Sequence, residues 1–186
     1  MRRNIILASI LSIALLSTLD TLAQKKKKGQ VTVPEFTMEA GQVIYSEEIN
    51  QSGTSVDVLY DRCLKWFNGF YKNSGAVIKE KVAGQKIVGK PKFNVYLKDI
   101  KTGKKMGTSG LIGYTITISF KSNKYQYRIT KINKKGSSYF GIEKMIAKNE
   151  EKYSHQYAND LVQVDEYMKG MIADLKVGMS VTGAKK

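Results

Sequence analysis

Gly113-Tyr114-Thr115-Ile116-Thr117-Ile118-Ser119-Phe120-Lys121-Ser122-Asn123-Lys124-Tyr125-Gln126-Tyr127-Arg128-Ile129-Thr130 is the stretch on which the reading of the fold turns. Tyr114, Ile116, Ile118 and Phe120 alternate with Thr115, Thr117 and Ser119, so one side of this run is apolar and the other hydroxylated. That is the period of two that a half-buried strand requires. Tyr125, Tyr127 and Ile129 repeat the pattern against Gln126, Arg128 and Thr130. Ser122-Asn123 between them marks a tight turn, so the two runs read as an antiparallel hairpin reaching Asn133.

Two further strand candidates lie upstream, Ala76 to Val82 and Lys86 to Leu97, joined at Ala83-Gly84-Gln85. Pro91 falls inside the second. It has no N–H to give to a ladder, so that strand is bulged, edge-like or split there. Lys98 to Gly110, rich in lysine and glycine, reads as a loop. Before these strands, Leu59, Cys63, Trp66, Phe67 and Phe70 form one stripe of an amphipathic helix over residues 55–72. Thr54 is its expected N-cap, with Asp57 near the positive end. A first strand fits Gln42 to Asn50, with Val43, Tyr45 and Ile49 inward.

Beyond the hairpin, Lys134 to Ser138 reads as a loop, and Ile142, Met145 and Ile146 suit one or two helical turns. A long helix is expected from Asn149 to Val177. Tyr153, Tyr157, Leu161, Val164, Met168, Met171 and Leu175 recur in it every three or four residues. Gly170 interrupts it and Gly178 offers a stop. The order is strand, helix, four strands, helix. It predicts an α+β domain over 42–178, an antiparallel sheet with helices packed on one face.

The N-terminus carries a different signal. Met1-Arg2-Arg3-Asn4 is cationic, Ile5 to Leu16 is apolar but for Ser9 and Ser12, and Thr21 and Ala23 are small. This is the pattern of a cleavable signal peptide over 1–23, cut between Ala23 and Gln24. The apolar run is shorter than the roughly 20 residues of a membrane span. Gln24 stands where a lipoprotein needs cysteine. The expected product is exported, soluble, and periplasmic or extracellular. It begins with a basic, flexible leader (24–41, including Lys25 to Lys28) and ends in a loose tail (179–186).

The 186 residues hold 31 Lys and Arg against 16 Asp and Glu, a formal charge of +15. The signal accounts for one of these charges, leaving about +14 on the mature chain. Such a surface attracts phosphates, acidic glycans and lipid head groups. Nucleic acid would suit the charge, but an exported protein rarely meets it. Cys63 is the single cysteine. No intrachain disulfide can form, and stability must come from packing.

The chain is similar to the secreted bacterial proteins grouped as domain of unknown function 4468. The likeness rests on the signal peptide, Tyr60 with Trp66, Ile87-Val88-Gly89, Gly113-Tyr114-Thr115-Ile116, Lys121, and Tyr127-Arg128-Ile129. It spans roughly 43–133. The lysine-rich 98–110 segment and the stretch 134–150 depart from it. The resemblance implies a TATA-binding-protein-like fold. It carries no established activity and hence no functional residues.

Catalytic and metal chemistry is not legible. His155 is the only histidine and has no ligand-spaced partners. Cys63 lies on the apolar stripe of the first helix, the place of a buried thiol. Gly84 to Pro91 approaches the phosphate-loop pattern, but proline stands where serine or threonine must hold magnesium, and strand follows instead of helix. The acidic residues are scattered, and no pair among them reads as a glycosidase couple. No enzyme activity, cofactor or metal is therefore expected.

Two functions follow. The first is a binding module of the cell envelope that recognises an anionic or amphipathic partner such as lipopolysaccharide, acidic glycan or lipid head groups. Its surface would be the uncovered sheet face with Lys79, Lys81, Thr115, Thr117, Arg128 and Thr130. The second is a carrier of a small apolar molecule between helix and sheet, with Trp66, Phe70, Met168 and Met171 lining the cavity.

Overall fold

A computed structural model describes residues 30–136 and 138–180. The expected signal peptide, its cleavage site and Lys25 to Lys28 lie outside the described residues, as does the tail from 181. In chain order the elements are β1 (Met38–Glu39), β2 (Gln42–Val43), β3 (Tyr45–Asn50), α1 (Val56–Phe70), α2 (Ser74–Val77), β4 (Ile78–Val82), β5 (Lys86–Gly89), β6 (Lys92–Lys98), β7 (Lys105–Lys121), β8 (Lys124–Lys134), β9 (Phe140–Gly141), α3 (Ile142–Glu151) and α4 (His155–Met179).

The hairpin of residues 113–133 is the centre of the sheet. β7 and β8 pair antiparallel, with Ile116 opposite Ile129 and Ile118 opposite Tyr127. β3 pairs with the outer side of β8, and β5 and then β4 follow on the other side of β7. β6 lies further along the same side of β7 as β5. Pro91 explains this division. The strand expected at 86–97 breaks there, β5 ending opposite Ile116 and β6 beginning opposite Gly113. All pairings are antiparallel, and α1 and α4 cover one face.

The covered face holds the core. Ile116, Ile118 and Ile129 are fully buried with Leu59, Phe67, Leu161, Val164 and Met168 from the helices. At roughly 1.5–3 kcal/mol per buried large apolar side chain, this interface supplies the main drive to fold. Gly89 has a packing reason: a Cβ there would come within 2.9 Å of the Phe67 ring, so its absence lets α1 approach the sheet. Gly178 is not a stop. It lies inside α4, where a Cβ would come within 2.8 Å of Trp66, and Ser180 caps the helix end.

Several boundaries differ from expectation. The segment read as a flexible leader over 24–41 already carries regular structure at β1, and its Val31 N–H donates to the Tyr153 hydroxyl. The N-cap of α1 is Ser55, one residue after Thr54, because the Thr54 backbone is tied to Asn123 at the β7–β8 turn. Residues 98–110 are mostly strand. Only a tight turn remains, where the Asp99 carboxylate accepts from Lys101 N, Thr102 N and the Thr102 hydroxyl. The long C-terminal helix is present but starts at His155, and its expected start at Asn149 falls in α3. Ser154 accepts from Tyr157 N and starts α4, while Asn149 to Glu151 close α3. The apolar stripe runs on through this break, which hides it from a periodicity count.

Candidate functional site

The face away from the helices carries Thr115, Thr117 and Ser119 from β7, with Gln126, Arg128 and Thr130 from β8, as the alternation predicts. Cross-strand pairing extends it: Val88 lies opposite Thr117, and Glu80 opposite Val88. Lys81 pairs instead with Ile87, a core-facing residue, so it points to the helix side of the edge strand. Glu80 stands on the open face in its place and pairs with Lys86 at 2.9 Å. Arg128 is also engaged, at 3.0 Å from Glu39 of the β1–β2 hairpin. Of the residues expected to form the surface, Lys79 and Thr115 come together in one pocket, while Thr117, Arg128 and Thr130 are not among its lining residues.

That pocket has a volume of about 440 Å³ and is lined by five lysines, Lys79, Lys90, Lys92, Lys131 and Lys135. Thr115, Asn133, Pro91, Gly113 and Tyr139 complete most of its wall, and no carboxylate of the described residues lines it. None of the five lysines has an ion-pair partner among the described residues.

Local irregularities of the chain deliver these charges. In β4, two residues oppose one between Ile78 and Glu80, and Lys79 is the extra residue of this bulge. Lys90 and Lys92 flank Pro91 at the break between β5 and β6. In β8, Thr130 pairs with Thr115 and Asn133 with Gly113, so β8 spends one residue more than β7. Lys131 lies in that bulge with φ 54°, the left-handed region that a side chain with Cβ rarely occupies. A β-bulge re-aims side chains and ends regular pairing. The backbone around Lys131 is held by Asn133, whose Nδ2 donates to Lys131 O at 2.6 Å and to Gly113 O at 3.3 Å. Lys135 folds over Gly113, and a Cβ at Gly113 would meet its stem at 2.5 Å.

Five exposed lysines share this pocket without an ion-pair partner among the described residues, so an anion entering it meets several cations at once. The single-residue alternation of a strand could not have shown this. Thr115 was legible as an open-face residue; Lys79 was expected there too, but it is the bulge that brings it to the pocket. Lys90, Lys92, Lys131 and Lys135 were missed because bulges and breaks direct them, and only Pro91 gave a hint.

The second set of expected residues is consumed in packing. Trp66 stacks on Phe70 at 5.2 Å, and its Nε1 donates to Asp174 at 2.8 Å. Met168 and Met171 are buried, and the Tyr114 hydroxyl lies 3.0 Å from Met171 Sδ. Burial pushes the Cys63 thiol far above its ordinary range, so it is not poised as a nucleophile. One contact resembles catalytic geometry: Lys134 Nζ lies 3.1 Å from Ser109 Oγ. The same ammonium is 2.8 Å from the fully buried Asp160, which also accepts from Ser109 and Gln156. An ammonium held by a carboxylate has no lone pair to take the serine proton, so the cluster reads as a polar tie between β7, β8 and α4. Among the described residues, no group of acidic, histidine or cysteine side chains could hold a metal ion. Among them, too, no helix is long and apolar enough to cross a membrane.

The sheet order and one-sided helices define a TATA-binding-protein-like (TBP-like) fold. Residues 45–135 match the model of the family described as "Domain of unknown function (DUF4468) with TBP-like fold". The structure is similar to that of a DUF4468 family protein from Bacteroides ovatus ATCC 8483, with 19% identity and a TM-score of 0.62 over 83% of this chain and 94% of that one. It is also similar to a TBP-like protein from Parabacteroides distasonis ATCC 8503, with 17% identity and a TM-score of 0.54 over 75% of this chain and 96% of that one. Among curated proteins, none matches the chain.

Proposed function

We propose that the protein is an exported, non-enzymatic binding module of the cell envelope that holds an anionic partner in the lysine pocket of its open sheet face. The observation that carries this reading is the convergence of Lys79, Lys90, Lys92, Lys131 and Lys135 on one pocket, with no carboxylate among the described residues in its lining. The formal charge of +15 adds long-range attraction to the same class of partner. The export pattern at 1–23 supplies the address, and lipopolysaccharide, acidic glycans and anionic lipid head groups are what that address offers.

The test is binding of the purified protein to lipopolysaccharide, polygalacturonate and anionic liposomes at low salt. A variant carrying Lys90→Gln and Lys92→Gln is compared throughout. Binding should weaken steeply as salt rises, and the variant should bind several-fold less tightly. Absence of binding to all three at low salt sinks the proposal. Mass spectrometry of the exported product checks the address, which requires an N-terminus at Gln24.

A further inference from the structure

The pocket says more about its occupant than the sign of its charge. Five lysines line about 440 Å³, which lies toward the lower end of the roughly 300–1,000 Å³ typical of small-ligand sites. An occupant that fits has room for few residues of a polymer, yet must answer several positive charges. A carboxylated sugar supplies one negative charge per unit. A phosphate monoester supplies about 1.5 to 2 at neutral pH, with three acceptor oxygens. The second puts more negative charge into the same volume.

The shape of the cations points the same way. All five are lysines, compact point charges whose rotatable donors can each turn to a different oxygen of one anion. A tetrahedral oxyanion accepts from several such ammonium groups at once. The rest of the wall suits an uncharged polar body. The Tyr139 ring is 54% exposed beside the lysines, and Thr115 and Asn133 bring a hydroxyl and an amide.

Lys131 supplies the independent observation. It keeps the left-handed backbone, φ 54°, at a position where glycine would sit without strain. Strained backbone concentrates at functional sites, where the surrounding structure over-determines it. Here the strained residue is one of the five pocket lysines.

We propose that the pocket binds a compact phosphorylated sugar, either free or as the head group of a glycolipid, and that Lys131 trades stability for a phosphate contact. This inference rests on the anion-binding reading above and narrows it. Titration calorimetry at fixed low salt would compare fructose bisphosphate, trigalacturonate and sucrose. Fructose bisphosphate should bind at least about tenfold more tightly than trigalacturonate, and sucrose not measurably. If trigalacturonate binds as tightly, the phosphorylated-sugar inference falls while the anion-binding function stands. If neither anion binds, and the three envelope probes above do not bind either, both fall. Phosphatidylcholine vesicles carrying lipid A separate the sources. Retention on them, reversed by fructose bisphosphate, supports the head group, and binding of the free sugar alone supports a soluble ligand.

Lys131→Gly gives a second arm. Its melting temperature should rise, because the strain is relieved, while its affinity for fructose bisphosphate falls several-fold. Lys131→Arg should retain most of the affinity. A Lys131→Gly protein that binds like the parent overturns the assigned role of Lys131.

Discussion

Two buried polar residues show how differently a single side chain can serve the fold. Asp160 is fully buried and accepts from Lys134, Ser109 and Gln156. Asp160→Ala should cost about 2–3 kcal/mol, because it leaves a partly buried ammonium without its counter-charge. Lys134 retains some solvent, which keeps the loss below the upper end for such pairs. Urea unfolding is the measurement, and a loss under about 0.5 kcal/mol would show that the cluster is solvated in solution. Tyr125 is the opposite case. Its ring is buried, yet its hydroxyl has no hydrogen-bond partner among the described residues. Tyr125→Phe should therefore leave stability unchanged or raise it by about 1 kcal/mol. A clear destabilisation would mean that the hydroxyl finds a partner.

At the scale of elements, α4 carries a weakness that its tertiary contacts offset. Gly170 sits inside the helix, exposed, with nothing within 4 Å of a built Cβ. Gly170→Ala should stabilise the protein by about 0.5–1 kcal/mol, read as a higher melting temperature, because alanine loses less backbone entropy in a helix. No gain would show that helix propensity does not limit α4. The break between α3 and α4 teaches a related lesson. Tyr153 and Tyr157 keep the spacing of the stripe across it, but the Ser154 side chain accepts from the Tyr157 amide and starts a new helix. A local hydrogen bond outweighed a regular apolar pattern.

Across the whole molecule, charge is segregated. Acidic residues pair with cations away from the pocket: Glu47 with Lys176, Glu48 with Lys124, Glu39 with Arg128. Hydrogen bonds from Arg128, Lys176 and Lys124 hold the Glu39, Glu47 and Glu48 carboxyls below their usual range. A folded-state pKa below the unfolded one adds stability that is present above the unfolded value. It is lost as pH falls through the folded value. These pairs tie β1 and β3 to the rest of the fold, so acidification below the ordinary 4.5 should loosen that region first. Amide hydrogen exchange at about pH 6 and about pH 3 checks this, with β3 losing protection before β7. Uniform loss across the sheet would contradict it.

Period-two alternation at 114–130 determined by itself that two adjacent strands share an apolar and a hydroxylated face. The stripe from Leu59 to Phe70 determined that a helix covers the apolar one. Both are repeating patterns, and burial of one face is all they need. The site is of another kind. Its lysines lie between residues 79 and 135, and no spacing along the chain marks them as neighbours. The pairing partners decide where a strand must spend an extra residue, so the bulges at Lys79 and Lys131 exist only in the assembled sheet. The same register turned Lys81 to the helix side and set Glu80 on the open face. Tertiary structure alone gathered the five charges, because a one-residue shift in pairing reverses every side chain that follows it.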